Sequence, residues 1–552
     1  MEITVPHIDL SHVRFSYDAR PLIDDVNLHI GAGERAFLVG PNGSGKTTLL
    51  SLVTQQLTPD HGTVDVNGTI GGMTSDLGRD IPGVTTVDDV LKHELHSVSA
   101  LAERFEVLTQ QIALNPDDPR VVEDYDHLLG EMNAKDVWSL DARIDQVLTG
   151  LNLTSLTGEG ASRPLDSLSP GQRARLALAS LLISRPDCVV VDEPTNHLDR
   201  AAVRFLIDLL TDWPGPVLVA SHDRDFIEST ATVMYDFDTA TWEAYRMASG
   251  GAAVGGLYQC RGNYRDYLEA KACARGHHER LHTAQQATKR SIHQHRDVSQ
   301  AIGKGGRRLS TATGMAKKFY SDRAAATATR RTTRDDRDLE RLTQREVRKP
   351  RHYALTLPLT PAPAGGGIAV SIRGARVEGR LAEVNCELGY GEKLLITGDN
   401  GVGKTTLVTW IGAGYPPPDC AGVSSGTVSR DDSVVHVPQR LPRQLDPGFG
   451  EERWLRGVGD VGRGVVHPSL WATPIAELSA GNQRRVQLAV AAAQEAKILI
   501  IDEPTNYLDV DTIEALQAAL AVWEGTLIVV SHDQWLIDAW WGRRLHLSRP
   551  DV

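Results

Sequence analysis

The sequence has no run approaching the ~18 apolar residues that a membrane-spanning helix needs, so a chain built round such helices is excluded. Its first residues, MEITVPHIDL, lack a basic stretch followed by an apolar one, and no secretory signal is expected. Cysteine is scarce: Cys188, Cys260, Cys273, Cys386 and Cys420 are five in 552 residues, with no CxxC pair. That spacing excludes a disulfide framework and a cysteine zinc site, and suits reduced thiols in a cytosol. Positive charge is also short, 58 Lys and Arg against 71 Asp and Glu for a formal −13, which taken alone argues against a nucleic-acid binder. What remains is ordinary for globular proteins, 41% hydrophobic and 23% charged, with length for two or more domains.

The chain repeats itself. GPNGSGKT (Gly40, Pro41, Asn42, Gly43, Ser44, Gly45, Lys46, Thr47) is matched by GDNGVGKT (Gly398, Asp399, Asn400, Gly401, Val402, Gly403, Lys404, Thr405). Each follows an apolar strand-like run and leads, through Thr48 or Thr406, into a helix-like one. That is the strand–loop–helix setting of a phosphate-binding loop, whose backbone N–H groups and helix N-terminus supply positive potential. Lys46 and Lys404 would reach the outer phosphates of a nucleotide, and the Thr47 and Thr405 hydroxyls would face Mg²⁺. Downstream come LSPGQ (Leu168–Gln172) and LSAGN (Leu478–Asn482), then VVVDEPTNHLD and LIIDEPTNYLD, then ASHD and VSHD. From Ser169 to Asp192 and from Ser479 to Asp502 there are 23 positions; from Glu193 to His222 and from Glu503 to His532 there are 29. Equal spacings across four motifs mean two copies of one fold.

These motifs resemble the ATP-binding cassette family over nearly the whole chain outside one central segment. The resemblance implies an α/β class, each cassette having a parallel-sheet core and a helical subdomain that carries the signature. It also implies head-to-tail closure. One site would join Lys46, Thr47, Asp192 and Glu193 to Ser479, Gly481 and Asn482; the other would join Lys404, Thr405, Asp502 and Glu503 to Ser169, Gly171 and Gln172. In that scheme Asp192 and Asp502 hold the Mg²⁺ shell, Glu193 and Glu503 polarise or deprotonate the attacking water, and His222 and His532 sense the γ-phosphate. Phosphoryl transfer needs mainly positioning and charge neutralisation, and these residue types supply both.

The copies are unequal. The first has FSY, with Tyr17 where the family stacks an aromatic ring on adenine; the matching stretch Ile372–Gly379 has no aromatic residue. The second keeps Gln439 where the family places a glutamine near Mg²⁺, while Ser75 aligns there in the first. An extra helical-looking stretch about 91–138 reads as an arm inserted in the first cassette, or as a solvated decoration.

Between the copies the charge inverts. Residues 261–350 hold 22 Lys/Arg against 10 Asp/Glu, leaving −25 for the rest of the chain. Proline-free runs from Asn263 to about Ala301 and from about Met315 to Lys349 flank Gly303-Lys-Gly-Gly-Arg-Arg308, which reads as two helices and a tip. Helices of that length reach about 50–60 Å. Such asymmetry suits a polyanion, most economically RNA, although a charged spacer is the plainer alternative. Contact candidates are Lys304, Arg307, Arg308, Lys317 and Lys318, with Phe319 and Tyr320 for stacking. The expected domains are a first cassette over 1–258, a basic hairpin over 259–350 with its tip at about 302–316, a Pro/Gly hinge over 351–367, and a second cassette over 368–552.

Tandem cassettes, DEPTNHLD and DEPTNYLD, and GNYRDYL (Gly262–Leu268) opening a basic linker are together similar to the ABC-F subfamily of ribosome-associated ATPases. That similarity implies a cytoplasmic ATPase using ATP and Mg²⁺. Its partner would be the ribosome, by rRNA near the exit site and peptidyl-transferase centre, and tRNA with it. The composition and glycine-containing tip resemble members that protect ribosomes from macrolides or lincosamides in antibiotic-producing actinomycetes. A housekeeping translation factor shares every ATPase motif, and the ATPase subunit of a transporter is the alternative from another class.

Overall fold

The computed structural model describes the chain except residues 1–4, 18–20, 73–83, 115–118, 135–136, 197, 250–253, 305–313, 351–365, 400 and 550–552. Two compact units emerge: one holds residues 1–237, 261–264 and 353–552, and the other 238–260 and 265–352.

The first unit contains both cassettes. In the first cassette the strands Ile70–Gly72, Cys188–Asp192, Val217–Ala220, Arg35–Val39 and Val233–Asp236 lie side by side in that order, every neighbouring pair parallel. The second repeats this with Val434–Val437, Ile498–Asp502, Thr526–Val530, Lys393–Gly398 and Arg543–Leu547. These strands are short, β-branched and covered on both faces, so they read as continuous apolar runs rather than alternating ones. Ile498, Leu499, Ile500 and Ile501 are all buried. Each cassette adds a three-stranded antiparallel sheet, His7–Phe15 between Ile23–Ile30 and His61–Asn67, and Ile368–Val377 between Leu381–Gly389 and Ser424–Arg430. Parallel order matters for function: it brings the C-terminal ends of the strands, with the loops that follow them, to one edge, where ligands of such sheets bind.

Helices Val87–Leu114 and Pro119–Ala134 occupy the stretch expected to form an arm. Pro119 opens the second, a position where its missing N–H costs nothing. They pack through Leu101, Leu108, Leu128 and Met132, with Phe105 stacked on Tyr125 at 5.4 Å.

The second unit is dominated by two helices, Tyr264–Lys304 and Gly314–Gln344. The first runs through Gly303, where the sequence suggests a break. The second stops at Gln344, short of Lys349, because side chains of the first helix take the following backbone groups. Gln285 donates to the Arg345 carbonyl (2.8 Å) and accepts from the Val347 N–H (3.0 Å), and His278 Nε2 donates to the Arg348 carbonyl (2.7 Å). Lys289 pairs with Glu346 at 2.9 Å and His295 with Asp335 at 2.9 Å, so the seam is largely polar. Most of the expected tip, with Arg307 and Arg308, and most of the expected hinge lie outside the described residues.

Candidate ATP-binding and hydrolysis sites

Each phosphate-loop motif leaves the end of a central strand and caps a helix with glycine. Gly45 (φ 101°) precedes the helix Lys46–Val53, and Gly403 (φ 91°) precedes Lys404–Ala413. Gly40 and Gly398 are also left-handed (φ 140° and 144°), and a Cβ on Gly40 would meet Phe237 at 2.9 Å. No other residue fits there. Both lysines are buried and fold back over their loops. Lys46 Nζ donates to the carbonyls of Gly40 (2.9 Å) and Pro41 (3.3 Å), and Lys404 Nζ to those of Gly398 (2.7 Å) and Asp399 (2.9 Å). Burial lowers the pKa of each ammonium, the nearby carboxylates opposing it. Anionic phosphates would relieve that burial cost.

The carboxylates sit where the sequence expects them. Asp192 and Asp502 close the strands Cys188–Asp192 and Ile498–Asp502. The Thr47 hydroxyl donates to Asp192 at 2.6 Å. Asp502 is fully buried, neither of its oxygens makes a hydrogen bond of good geometry, and burial raises its pKa to about 6 against the neighbouring Thr405 hydroxyl. A buried carboxylate with such oxygens beside a threonine hydroxyl is a donor set suited to a hard cation such as Mg²⁺. The next residues, Glu193 (φ 47°) and Glu503 (φ 50°), both take the left-handed conformation that non-glycine residues avoid. Their N–H groups donate to Ala220 and Val530 (2.8 and 2.9 Å), and each carboxylate accepts the backbone N–H of His222 or His532 at 3.4 Å.

Here the copies diverge electrostatically. Burial, then Asp192, pushes Glu193 up to about 8, while burial and Lys46 hold His222 down to about 3; their side chains stand 3.6 Å apart. His532 Nδ1 approaches Glu503 at 2.8 Å, and that carboxylate raises the imidazole. The two glutamate–histidine pairs are therefore biased differently: burial raises the Glu193 carboxyl at the first, and the Glu503 carboxylate raises the His532 imidazole at the second.

Both signature serines cap helices. Ser169 and Gln172 form a reciprocal capping box, the Ser169 Oγ accepting from Gln172 N (3.2 Å) and the Gln172 Oε1 accepting from Ser169 N (3.0 Å). Ser479 Oγ accepts from Asn482 N at 3.4 Å without the reciprocal bond, the Asn482 side chain being one carbon shorter than glutamine. The second signature meets the first phosphate loop: a Cβ on Gly481 would lie 1.9 Å from Asn42 Nδ2. Asn42 donates from Nδ2 to the Tyr507 carbonyl (3.0 Å) and from its N–H to Asp509 (3.3 Å), and Asp509 also receives Arg485 at 2.7 Å. Asn400, the counterpart of Asn42, lies outside the described residues, as does Ser75. Beyond the histidines the cassettes meet again. Arg224 donates to Asp533 (2.8 Å) and Gln517 (3.3 Å) and lies over Trp535, while the Gln534 N–H donates to Asp225 (3.2 Å).

Tyr17 is exposed and meets Phe15 edge-on at 5.0 Å, and Gln439 is exposed just beyond the strand Val434–Val437. Lys304 ends one long helix of the second unit; Lys317, Lys318, Phe319 and Tyr320 stand near the start of the other, with Lys318 exposed. Sequence reasoning singled out neither Asp509 nor Tyr507. The available signal was the aspartate closing TNHLD and TNYLD in both copies.

Two cassettes with paired phosphate loops and signatures define the protein's class. Residues 23–196 and 381–506, more than half the chain, match the ABC transporter family, and the chain belongs to it as an ABC-F ATPase. It is 31% identical to the tylosin resistance ATP-binding protein TlrC of Streptomyces fradiae, covering 99% of this chain and 98% of that one. It is 28% identical to the energy-dependent translational throttle protein EttA of Mycobacterium tuberculosis, over 96% of this chain and 89% of that one. Among solved structures, the archaeal ribosome recycling factor in complex with a ribosomal stalk protein shares the fold: TM-score 0.53, 18% identity, 96% of this chain and 85% of that one. Among the described residues no helix is long and apolar enough to cross a membrane.

Proposed function

We propose that this ATPase binds the bacterial ribosome in its ATP-closed form and protects the peptidyl-transferase and exit-tunnel region from macrolides, lincosamides or related drugs, hydrolysis releasing it. The observation that carries this reading is a net +12 segment, built largely of two long helices, in a chain otherwise at −25. A spacer has no need of that charge, whereas rRNA and tRNA phosphates bind arginine and lysine without regard to sequence. The exposed Arg330, Arg334, Arg337 and Arg341 follow one face of the second helix, at positions suited to a phosphate backbone. The name of the Streptomyces relative, a tylosin resistance protein, supports protection as the outcome.

In this reading Lys46 and Lys404 meet the outer phosphates, the loop N–H groups cradle them, and Tyr17 stacks on adenine. Thr47 with Asp192, and Thr405 with Asp502 and Gln439, would hold Mg²⁺, whose charge would offset that developing on the phosphoryl group. Glu193 and Glu503 take the proton of the attacking water, and His222 and His532 orient the γ-phosphate. Ser169, Gly171 and Gln172 complete one site; Ser479, Gly481 and Asn482 complete the other. The Asn42–Gly481 approach supports pairing of the cassettes within one chain, as in a monomer, and a ribosome partner places the protein in the cytoplasm.

The test is drug susceptibility of a sensitive host expressing the protein, across macrolides, lincosamides, streptogramins and phenicols. Raised tolerance to at least one class is expected. Unchanged tolerance to all, with altered elongation rates, assigns the protein to translation control instead, the reading that the likeness to the throttle protein favours.

A further inference from the structure

Arg484 lies three residues beyond Gly481 on the helix Ala480–Ala492, and its side chain is fully buried. Withdrawing a guanidinium from water costs several kcal/mol unless its donors are met. Here four oxygens meet the Nη donors, while Nε finds no hydrogen-bond partner among the described residues. Nη2 donates to the carbonyls of Asp502 and Glu503, each at 2.9 Å; Nη1 donates to the Pro438 carbonyl at 2.5 Å and to Gln487 Oε1 at 2.7 Å. Gln487 in turn donates to the Arg440 carbonyl at 3.2 Å. Three of the four acceptors are backbone carbonyls at, or next to, residues assigned to the second ATP site: Asp502, Glu503, and Pro438 immediately before Gln439.

Two features set this apart from ordinary packing. Glu503 stands in a left-handed conformation, so the peptide planes on either side of it decide where its carboxylate points, and Arg484 grips the carbonyl of both. The equivalent position in the first cassette is Ala174, which has no polar side chain. A well-packed apolar residue would serve a merely structural role at lower desolvation cost.

We propose that Arg484 is a positioning residue of the second ATP site: by holding the carbonyls of Pro438, Asp502 and Glu503 from one buried guanidinium, it aims the Glu503 carboxylate and the Gln439 segment at the same nucleotide. It rests on the assignment of Glu503 as that site's general base.

The experiment uses the full chain in a Glu193→Gln background, so that ATP turnover reports the second site. Glu193→Gln/Glu503→Gln must abolish turnover; if it does not, the assignment of Glu503 fails whatever Arg484 does. Given that control, Arg484→Met is expected to lower kcat by about tenfold or more, as misplacement of a reacting group does. KM for ATP should stay within about twofold of the parent, a split that a loss of nucleotide binding would not give. Arg484→Lys keeps the charge with fewer donors; it should give an intermediate kcat. Parental kcat in Arg484→Met overturns the proposal. So does an equal loss from Arg484→Met in the Glu503→Gln background, which would mark general collapse. Should Arg484→Met not fold, the lysine variant decides: parental kcat overturns the proposal.

Discussion

Arg224 of the first cassette and Asp533 of the second form an ion pair 2.8 Å long, with side chains only 4% and 13% exposed. Arg224 follows His222 by two positions and Asp533 follows His532 by one, so this contact stitches the cassettes together beside both histidines. Removing one partner of a buried pair leaves the other charge unsatisfied, at a cost of about 3–5 kcal/mol. Arg224→Met should therefore destabilise the cassette unit by about 3 kcal/mol in urea unfolding. Adding Asp533→Asn, which keeps the helix cap on Leu536, should restore most of that loss. Equal midpoints for the single and double variants would show that the pair is not the cause.

The same junction carries a pH signature. Burial, then Asp223 and Asp533, raises Asp225 to about 6. A carboxyl whose folded pKa lies above its unfolded value contributes stability that is complete below the unfolded pKa and is lost as pH rises through about 6. Asp225→Asn should raise Tm at pH 8 and leave it nearly unchanged at pH 4.5, since an amide oxygen still accepts from the Gln534 N–H. Calorimetry at the two pH values reads this directly; a pH-independent change would contradict it.

Gly481→Ala puts a methyl group within 1.9 Å of Asn42 Nδ2 and 2.8 Å of the Tyr507 carbonyl. The Asn42 side chain can swing away, but the carbonyl is backbone and must shift. The expected outcome is a loss of about tenfold or more in turnover at the first site, measured in a Glu503→Gln background. Turnover like the parent's would mean that Gly481 and Asn42 need not meet.

In the hairpin, Lys289, then Gln286, holds Glu346 below the usual carboxylate range. Its contribution to stability is present above the ordinary glutamate pKa and is lost as pH falls through the lowered one. Glu346→Gln should flatten the acid dependence of helical ellipticity and speed amide exchange around residues 285–289. An unchanged acid profile would place the seam's strength elsewhere.

The two cassettes were legible because phosphate binding demands glycine, lysine and threonine at fixed spacing, and the chain makes that demand twice. The hairpin was legible from charge and from missing proline. Its helix ends were not: Gly303 is tolerated inside a helix, and Gln285 and His278 capture the backbone beyond Gln344 from far along the chain. Nor could spacing show that Arg224 meets Asp533, or that Arg484 turns inward to three carbonyls. A lone arginine on a polar helix reads as solvated, and only tertiary contact says which acceptor it finds.

In the proposed function, two cassettes close on ATP in a form whose basic segment grips rRNA. Sedimentation of Glu193→Gln/Glu503→Gln with 70S ribosomes in ATP tests it most directly, because that variant should hold nucleotide without releasing it. Strong enrichment in the ribosome pellet over the wild type is expected, lost when ADP replaces ATP. Absence from the pellet with either nucleotide would contradict it.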